Sequence, residues 1–272
     1  MQIIGEKING TRKRVGQAIA ERDTNYIQNL ARRQAEAGST WLDVNAGTHP
    51  DREPDDLVWL VETVQAVVDT PLSLDSTNPQ ALAAALKAVN RTPMINSISG
   101  ESQRLAEVLP LVAEHGCPVI ALAMDDKGIP ESSAERVEVI HRVIAATRAA
   151  DIADARVYVD ALAMTLSTNT QSVVIFCDTV QAVRHAYPDV HFTAGLSNIS
   201  YGLPARSYIN RAFLTLALAA GLDCAILDPL DQELRATLLA AELALGRDEY
   251  CLRYVRAYRA GAFNKPGDQD RC

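Results

Sequence analysis

Positive charge is in short supply: 26 lysines and arginines stand against 34 aspartates and glutamates, for a formal net charge of −8. Sequence-independent nucleic-acid binding needs a basic footprint to neutralise phosphates, so that class of function is set aside. Large aromatics are scarce as well. With 4 Phe and 2 Trp in a chain that is 48% apolar, a core has to be largely aliphatic. No apolar run approaches the ~18 unbroken residues of a membrane span. The opening Met1-Gln2-Ile3-Ile4-Gly5-Glu6-Lys7 lacks the basic and then apolar regions of a secretory leader, and a cytoplasmic location is expected. The 5 cysteines form no Cys-x-x-Cys pair, which points to reduced thiols. The 5 histidines share no ligand spacing, and no tightly bound metal is expected. No Gly-x-Gly-x-x-Gly follows the first apolar run, so the marker of an open dinucleotide-binding sheet is missing.

What is present is alternation. Short aliphatic or β-branched runs at 2–5, 41–45, 71–75, 93–97, 118–123, 156–160, 191–195 and 223–227 predict strands. Between them, segments of 3.6-residue periodicity predict helices near 24–37, 54–68, 79–89, 101–115, 132–150, 170–187, 206–220 and 231–245, with a ninth at 248–261. Asn78-Pro79 and Pro54-Asp55 suit helix starts, while Gly38, Gly116 and Gly221 suit left-handed helix ends. Eight strand–helix units in 272 residues predict a single α/β domain, a (β/α)8 barrel with an extra C-terminal helix spanning 1–263. The polar segment 264–272 is expected to fray.

In such a barrel the chemistry sits at the carboxyl ends of the strands. Those ends carry Glu6 and Asn9, Asn45, Asp75 and Ser76, Asn96 and Ser97, Asp125, Asp160, Asn198 and Asp228. Carboxylates offer paired acceptors, and amides offer an acceptor with two donors. Together they suit a flat heterocycle with an aminopyrimidine edge. Each of them is equally a residue that caps a helix after a strand, as in Asp75-Ser76-Thr77-Asn78-Pro79. His49, in a loop with Asp51 and Arg52, and the basic run Thr11-Arg12-Lys13-Arg14 lie on the same rim. His49 reads as solvated loop, with a partner-facing or lid role as the alternative, and the basic run reads as a solvated charge run, with the folate glutamate tail or an acidic carrier protein as its alternative partner. Lys7 is the one candidate for a Schiff-base lysine at a strand end, and it stands among polar neighbours.

Five stretches carry a family resemblance: Ile3-Ile4-Gly5-Glu6-Lys7-Ile8-Asn9-Gly10, Leu72-Ser73-Leu74-Asp75-Ser76-Thr77-Asn78, Met94-Ile95-Asn96-Ser97, Gly195-Leu196-Ser197-Asn198 and Ile209-Asn210-Arg211-Ala212-Phe213. In these the chain resembles the methyltetrahydrofolate:corrinoid methyltransferases within the pterin-binding barrels. The resemblance implies methyl transfer between N5 of tetrahydrofolate and the cobalt of a corrinoid on a separate small protein, with a homodimer as the assembly. It implies that Asp75, Asn96 and Asp160 hold the pterin, with Glu6 and Asn9 on the same rim. Gly195 and Ser197 would shape the N5 wall, Asn198 would hydrogen-bond N5, and Arg206 would contact the folate. The catalytic candidates are Asn198, through its carbonyl oxygen, and Asp160, as a proton relay if burial raises its pKa. Tyr201 and Ala161 depart from the best-known branch, in which an amide side chain and a proline stand. They point to a demethylation pathway, such as that of glycine betaine, that makes methyltetrahydrofolate. Acetyl-CoA synthesis and a non-catalytic folate-binding or carrier-docking subunit are the alternatives. Dihydropteroate synthase is disfavoured, because its Asn-x-Thr-Pro-Asp-Ser-Phe opening and Arg-x-His ending are absent.

Overall fold

The computed structural model describes residues 1–263. The strands are β1 (Gln2–Asn9), β2 (Trp41–Asn45), β3 (Leu72–Asp75), β4 (Met94–Gly100), β5 (Val119–Asp125), β6 (Val157–Asp160), β7 (His191–Thr193) and β8 (Cys224–Leu227). The helices are α1 (Lys13–Glu21), α2 (Thr24–Glu36), α3 (Glu53–Gln65), α4 (Pro79–Ala88), α5 (Ser102–His115), α6 (Ser133–Ala149), α7 (Ser172–Ala186), α8 (Arg206–Ala220), α9 (Gln232–Ala244) and α10 (Leu252–Arg259). All neighbouring strands are parallel, in the order β7-β6-β5-β4-β3-β2-β1-β8. The Ile226 N–H donates to Ala194 O at 2.9 Å, which joins β8 to β7 and closes the (β/α)8 barrel.

Strand alternation explains the two apolar regions. Leu42, Val44, Leu74, Ile95 and Val159 point outward and pack under the helices, in the large core cluster. Ile4, Met94, Ile120, Tyr158 and Cys224 point inward and fill the lower barrel. Farther along the same inward rows come Glu6, Asn96, Leu122, Asp160 and Ile226. The barrel interior therefore turns from apolar to polar toward its carboxyl end.

Helix ends follow the punctuation. Asn78 Oδ1 accepts from the N–H groups of Gln80 and Ala81, and Gly38, Gly116 and Gly221 adopt φ of 89°, 64° and 121°. Three expectations need correction. First, β1 runs on to Asn9 instead of ending at Gly5, because a bulge between Gly5 and Ile8 lets it continue through charged residues. Second, Lys13 and Arg14 open a helix where only a solvated charge run is expected. Val15, Ala18 and Ile19 are its buried stripe, hidden in the sequence by a basic start. Third, the last helix is shorter than 248–261, because Tyr250 and Cys251 hold φ of 56° and 59° just before it. The expected fraying of 264–272 lies outside the described residues.

Candidate active site at the carboxyl ends of the strands

Inward-facing residues of β1, β2, β3, β4 and β8 and the turn after β7 meet in a hollow of about 340 Å³, lined by Glu6, Asn9, Thr11, Arg12, Asp43, Asp75, Asn96, Gly195, Ser197, Asn198 and Ile226. A second hollow of about 520 Å³ shares Asp75 and Asn96 and opens toward Arg104, Leu122 and Met124. The first volume lies in the range of small-molecule sites.

Register assembles one wall. Asp43 pairs with Ser73 across β2–β3, and Asp75 pairs with Asn96 across β3–β4. Ser73 Oγ and Asn96 Nδ2 donate to Asp43 Oδ1 at 2.8 and 3.2 Å, and Asn45 Nδ2 donates to Asp75 Oδ2 at 2.8 Å. Burial pushes both carboxyls up, with Asp75 adding to the rise at Asp43, so this wall holds protons more tightly than free aspartates do.

Asp160, 6% exposed at the end of β6, accepts from the Leu162 N–H at 2.7 Å, and the Gly195 N–H lies close enough to pull its pKa down. Burial raises its pKa to about 6, against the pull of those two N–H groups and of Arg136. Beyond β7 the chain makes a 3₁₀ turn, Leu196–Ser200, that carries Asn198. A Cβ on Gly195 would lie 2.8 Å from Asn198 Nδ2, so the absent side chain is what lets the amide pack there.

Arg206 lies outside the hollow. Its Nη2 donates to Ser197 O at 2.6 Å and its Nε to Ser200 Oγ at 3.0 Å, which braces the turn that bears Asn198. Glu6 is held by Arg12 at 2.7 Å and raised by burial, and Asn9 Oδ1 caps the loop through Thr11 N–H at 3.0 Å. Lys7 is paired with Asp228 at 2.6 Å, which is not the isolated amine of a Schiff-base site. His49 is exposed on its loop and bonds locally to Asp51. Met124, Asp125 and Asp228 border the rim, where Asp125 is tied to Arg142.

The sequence reading missed Asp43, which sits in mid-strand and not at a strand end. A lone charge flanked by Leu42 and Val44 was the available signal. It also missed Arg136 of α6, a fully buried arginine on a helix read as plain barrel cover. Arg136 Nη1 donates to Ala161 O and Leu162 O, both at 2.7 Å, and so holds the loop that seats Asp160.

The pterin binding enzyme family matches residues 5–228. A methylcorrinoid:tetrahydrofolate methyltransferase of Eubacterium limosum is 38% identical over 263 residues, 96% of this chain and 97% of its own. A methionine synthase of Mycobacterium tuberculosis is 32% identical over 237 residues, which make up 20% of that protein's length. Among solved structures, Yersinia pestis dihydropteroate synthase aligns with a TM-score of 0.65 over 90% of this chain and 93% of its own, at 18% identity, a likeness of fold alone. The resemblance to methyltetrahydrofolate:corrinoid methyltransferases, first carried by short motifs, thus extends end to end. Matched over most of its length, the chain belongs to the pterin-binding enzyme family.

Proposed function

We propose that the protein is a methyltransferase between N5 of tetrahydrofolate and the cobalt of a corrinoid, both substrates, with the corrinoid presented by a separate small protein. The observation that carries this reading is the pocket in which Asp75 and Asn96 face the Asn198 turn, with Asp160 in register with Thr193 just before that turn. The full-length relative named for this reaction supports it. In this reading Asp75, Asn96 and Asp160 hold the pterin ring, the two carboxylates on its 2-amino and N3–H edge. Glu6, Asn9, Gly195 and Ser197 complete the walls. Arg206 acts by bracing the turn, with a contact to the folate beyond the pterin as a further role.

In the proposed direction the N5 lone pair attacks the methyl group, and the carbon–cobalt electron pair stays on the metal. N5 then loses its hydrogen to solvent as a proton. Asn198 Nδ2 packs against Gly195, which leaves the carbonyl oxygen to accept the N5 hydrogen while N5 is positively charged. In the reverse direction the same contact favours protonated N5, which turns a poor leaving group into a better one. Asp160 can relay a proton near pH 6, where it titrates.

Demethylation, with glycine betaine as an example, is the proposed setting. It is supported by Tyr201 and Ala161 and by the methylcorrinoid that stands first in the relative's name. A deletion strain decides: it should lose growth on the methylated amine, whereas lost acetyl-CoA synthesis from one-carbon units would reverse the direction. For the chemistry itself, Asn198→Ala should slow methyl transfer roughly 100–1000-fold. Methyltetrahydrofolate affinity, measured by calorimetry, should stay within about tenfold. Equal losses would remove the role given to Asn198, and wild-type protein that binds folate without transferring methyl would be a binding subunit.

A further inference from the structure

We infer that Asp43 makes the pocket selective for pterins that bear a hydrogen on N8, by fixing the side-chain amide of Asn96; the inference rests on the pterin site proposed above. Asp43 is 3% exposed, faces inward from the middle of β2 and lines the hollow beside Asn96. Its Oδ1 accepts from Ser73 Oγ at 2.8 Å and from Asn96 Nδ2 at 3.2 Å. An oxygen that already accepts two hydrogens draws the nitrogen of an amide and repels its carbonyl oxygen, so Asn96 is held in one of its two orientations. Burial and Asp75 favour the neutral acid at Asp43, and the same Oδ1 then serves as the carbonyl oxygen that still accepts both donors. The orientation therefore survives protonation.

The consequence lies on the ligand side. Asn96 Oδ1 is left as an acceptor, and it has company. Asp75 has Oδ2 engaged by Asn45, Asn45 Oδ1 is buried without a partner, and Asp160 has Oδ1 engaged by Leu162. The atoms remaining on this side call for hydrogens from the ligand. With the 2-amino and N3–H edge on carboxylates and N5 at Asn198, the pterin edge left for Asn96 is N1 and N8. The second amide hydrogen of Asn96 suits the N1 lone pair, and its oxygen requires N8–H. Dihydro- and tetrahydropterins carry that hydrogen, while a fully oxidised pterin sets a lone pair against the oxygen. A buried acceptor left unpaired in this way weakens binding by roughly 10–100-fold.

Calorimetric affinities for folic acid, 7,8-dihydrofolate and tetrahydrofolate test this on wild type, Asp43→Asn, Asp43→Ala and Ser73→Ala, with a thermal melt to check folding. Wild type should bind both reduced forms at least about tenfold more tightly than folic acid. Asp43→Asn keeps a carbonyl oxygen for both donors, as the neutral acid does, and should keep the preference. Asp43→Ala releases the amide, so the preference should fall about tenfold, while Ser73→Ala should keep it. A folded Asp43→Ala with the wild-type ratio overturns the inference. So does wild type that binds all three equally, a comparison that needs no variant. Wild type that binds none of them instead removes the pterin site on which the inference stands.

Discussion

Gly195 shows how one residue sets the geometry of another. Its missing Cβ makes room for the Asn198 amide, and its N–H favours ionised Asp160. Gly195→Ala puts a carbon 2.8 Å from Asn198 Nδ2, so the amide must move. Methyl transfer should drop about 10–100-fold with little change in melting temperature, since the group that must give is the amide of the exposed Asn198. Unchanged transfer rates would show that Asn198 tolerates displacement.

Asp160 carries the pH dependence. Folate affinity should be flat above a break near pH 6 and fall below it, as the carboxylate that takes the pterin edge is protonated. An affinity that stays flat down to pH 4.5 would contradict this. The same shift has a stability cost. The folded-state pKa lies above the ordinary value of 3.8, so the native state binds the extra proton between about pH 4 and 6 and loses stability as pH rises through that window. Asp160→Asn keeps an acceptor for the Leu162 N–H without the buried charge. It should raise stability at pH 8 by on the order of 1–3 kcal/mol, raise it little at pH 4, and weaken folate binding. Denaturant melts at the two pH values check the sign.

Among the elements, α6 does more than cover the barrel. Arg136 reaches from its first turn into the loop after β6 and donates to Pro130 O, Ala161 O and Leu162 O. That loop bends through Leu162 at φ 61°, a conformation that costs a non-glycine residue energy and that the guanidinium holds in place. Arg136→Met strands three carbonyls and should cost roughly 3 kcal/mol in a urea melt. It should also lift the pH break near 6, because a positive charge that favours ionised Asp160 is gone. The helix was legible from its apolar stripe. The role of Arg136 was not, because periodicity places a residue on a face and says nothing about which loop that face meets. The reverse holds for α1, where a clear contact face was masked by Lys13 and Arg14.

For the whole molecule, closure is what makes a site. Asp43, Asp75, Asn96 and Asp160 come from strands spread over 118 positions of the chain (43 to 160), and the Asn198 turn joins them because β7 bonds to β8. Assembly is a matter of surface. α10 leaves Leu252, Val255 and Tyr258 exposed, with Tyr250 beside them. We propose that these last helices form the interface of a homodimer. Sedimentation should give a dimer, and Leu252→Glu with Val255→Glu should give a monomer that still binds methyltetrahydrofolate. A wild-type monomer at micromolar concentration would remove the proposal. Among the described residues no helix is long and apolar enough to cross a membrane.

The sequence by itself determined the eight strand–helix units, because period-2 and period-3.6 patterns record which faces each element must bury, and the turn residues mark where the elements stop. It also placed Asp75 and Asp160 at strand ends, since an α/β barrel keeps its carboxyl rim for polar groups, whereas Asn96 falls inside β4 and Asn198 in the turn beyond β7. Only the tertiary structure decided how those groups are held. Strand register set Asp43 against Ser73 and Asn96, burial moved the carboxyl pKa values, and Arg206 proved to brace the turn of Asn198 from outside the hollow. Those are distances between residues remote in the chain. A local pattern carries no record of them.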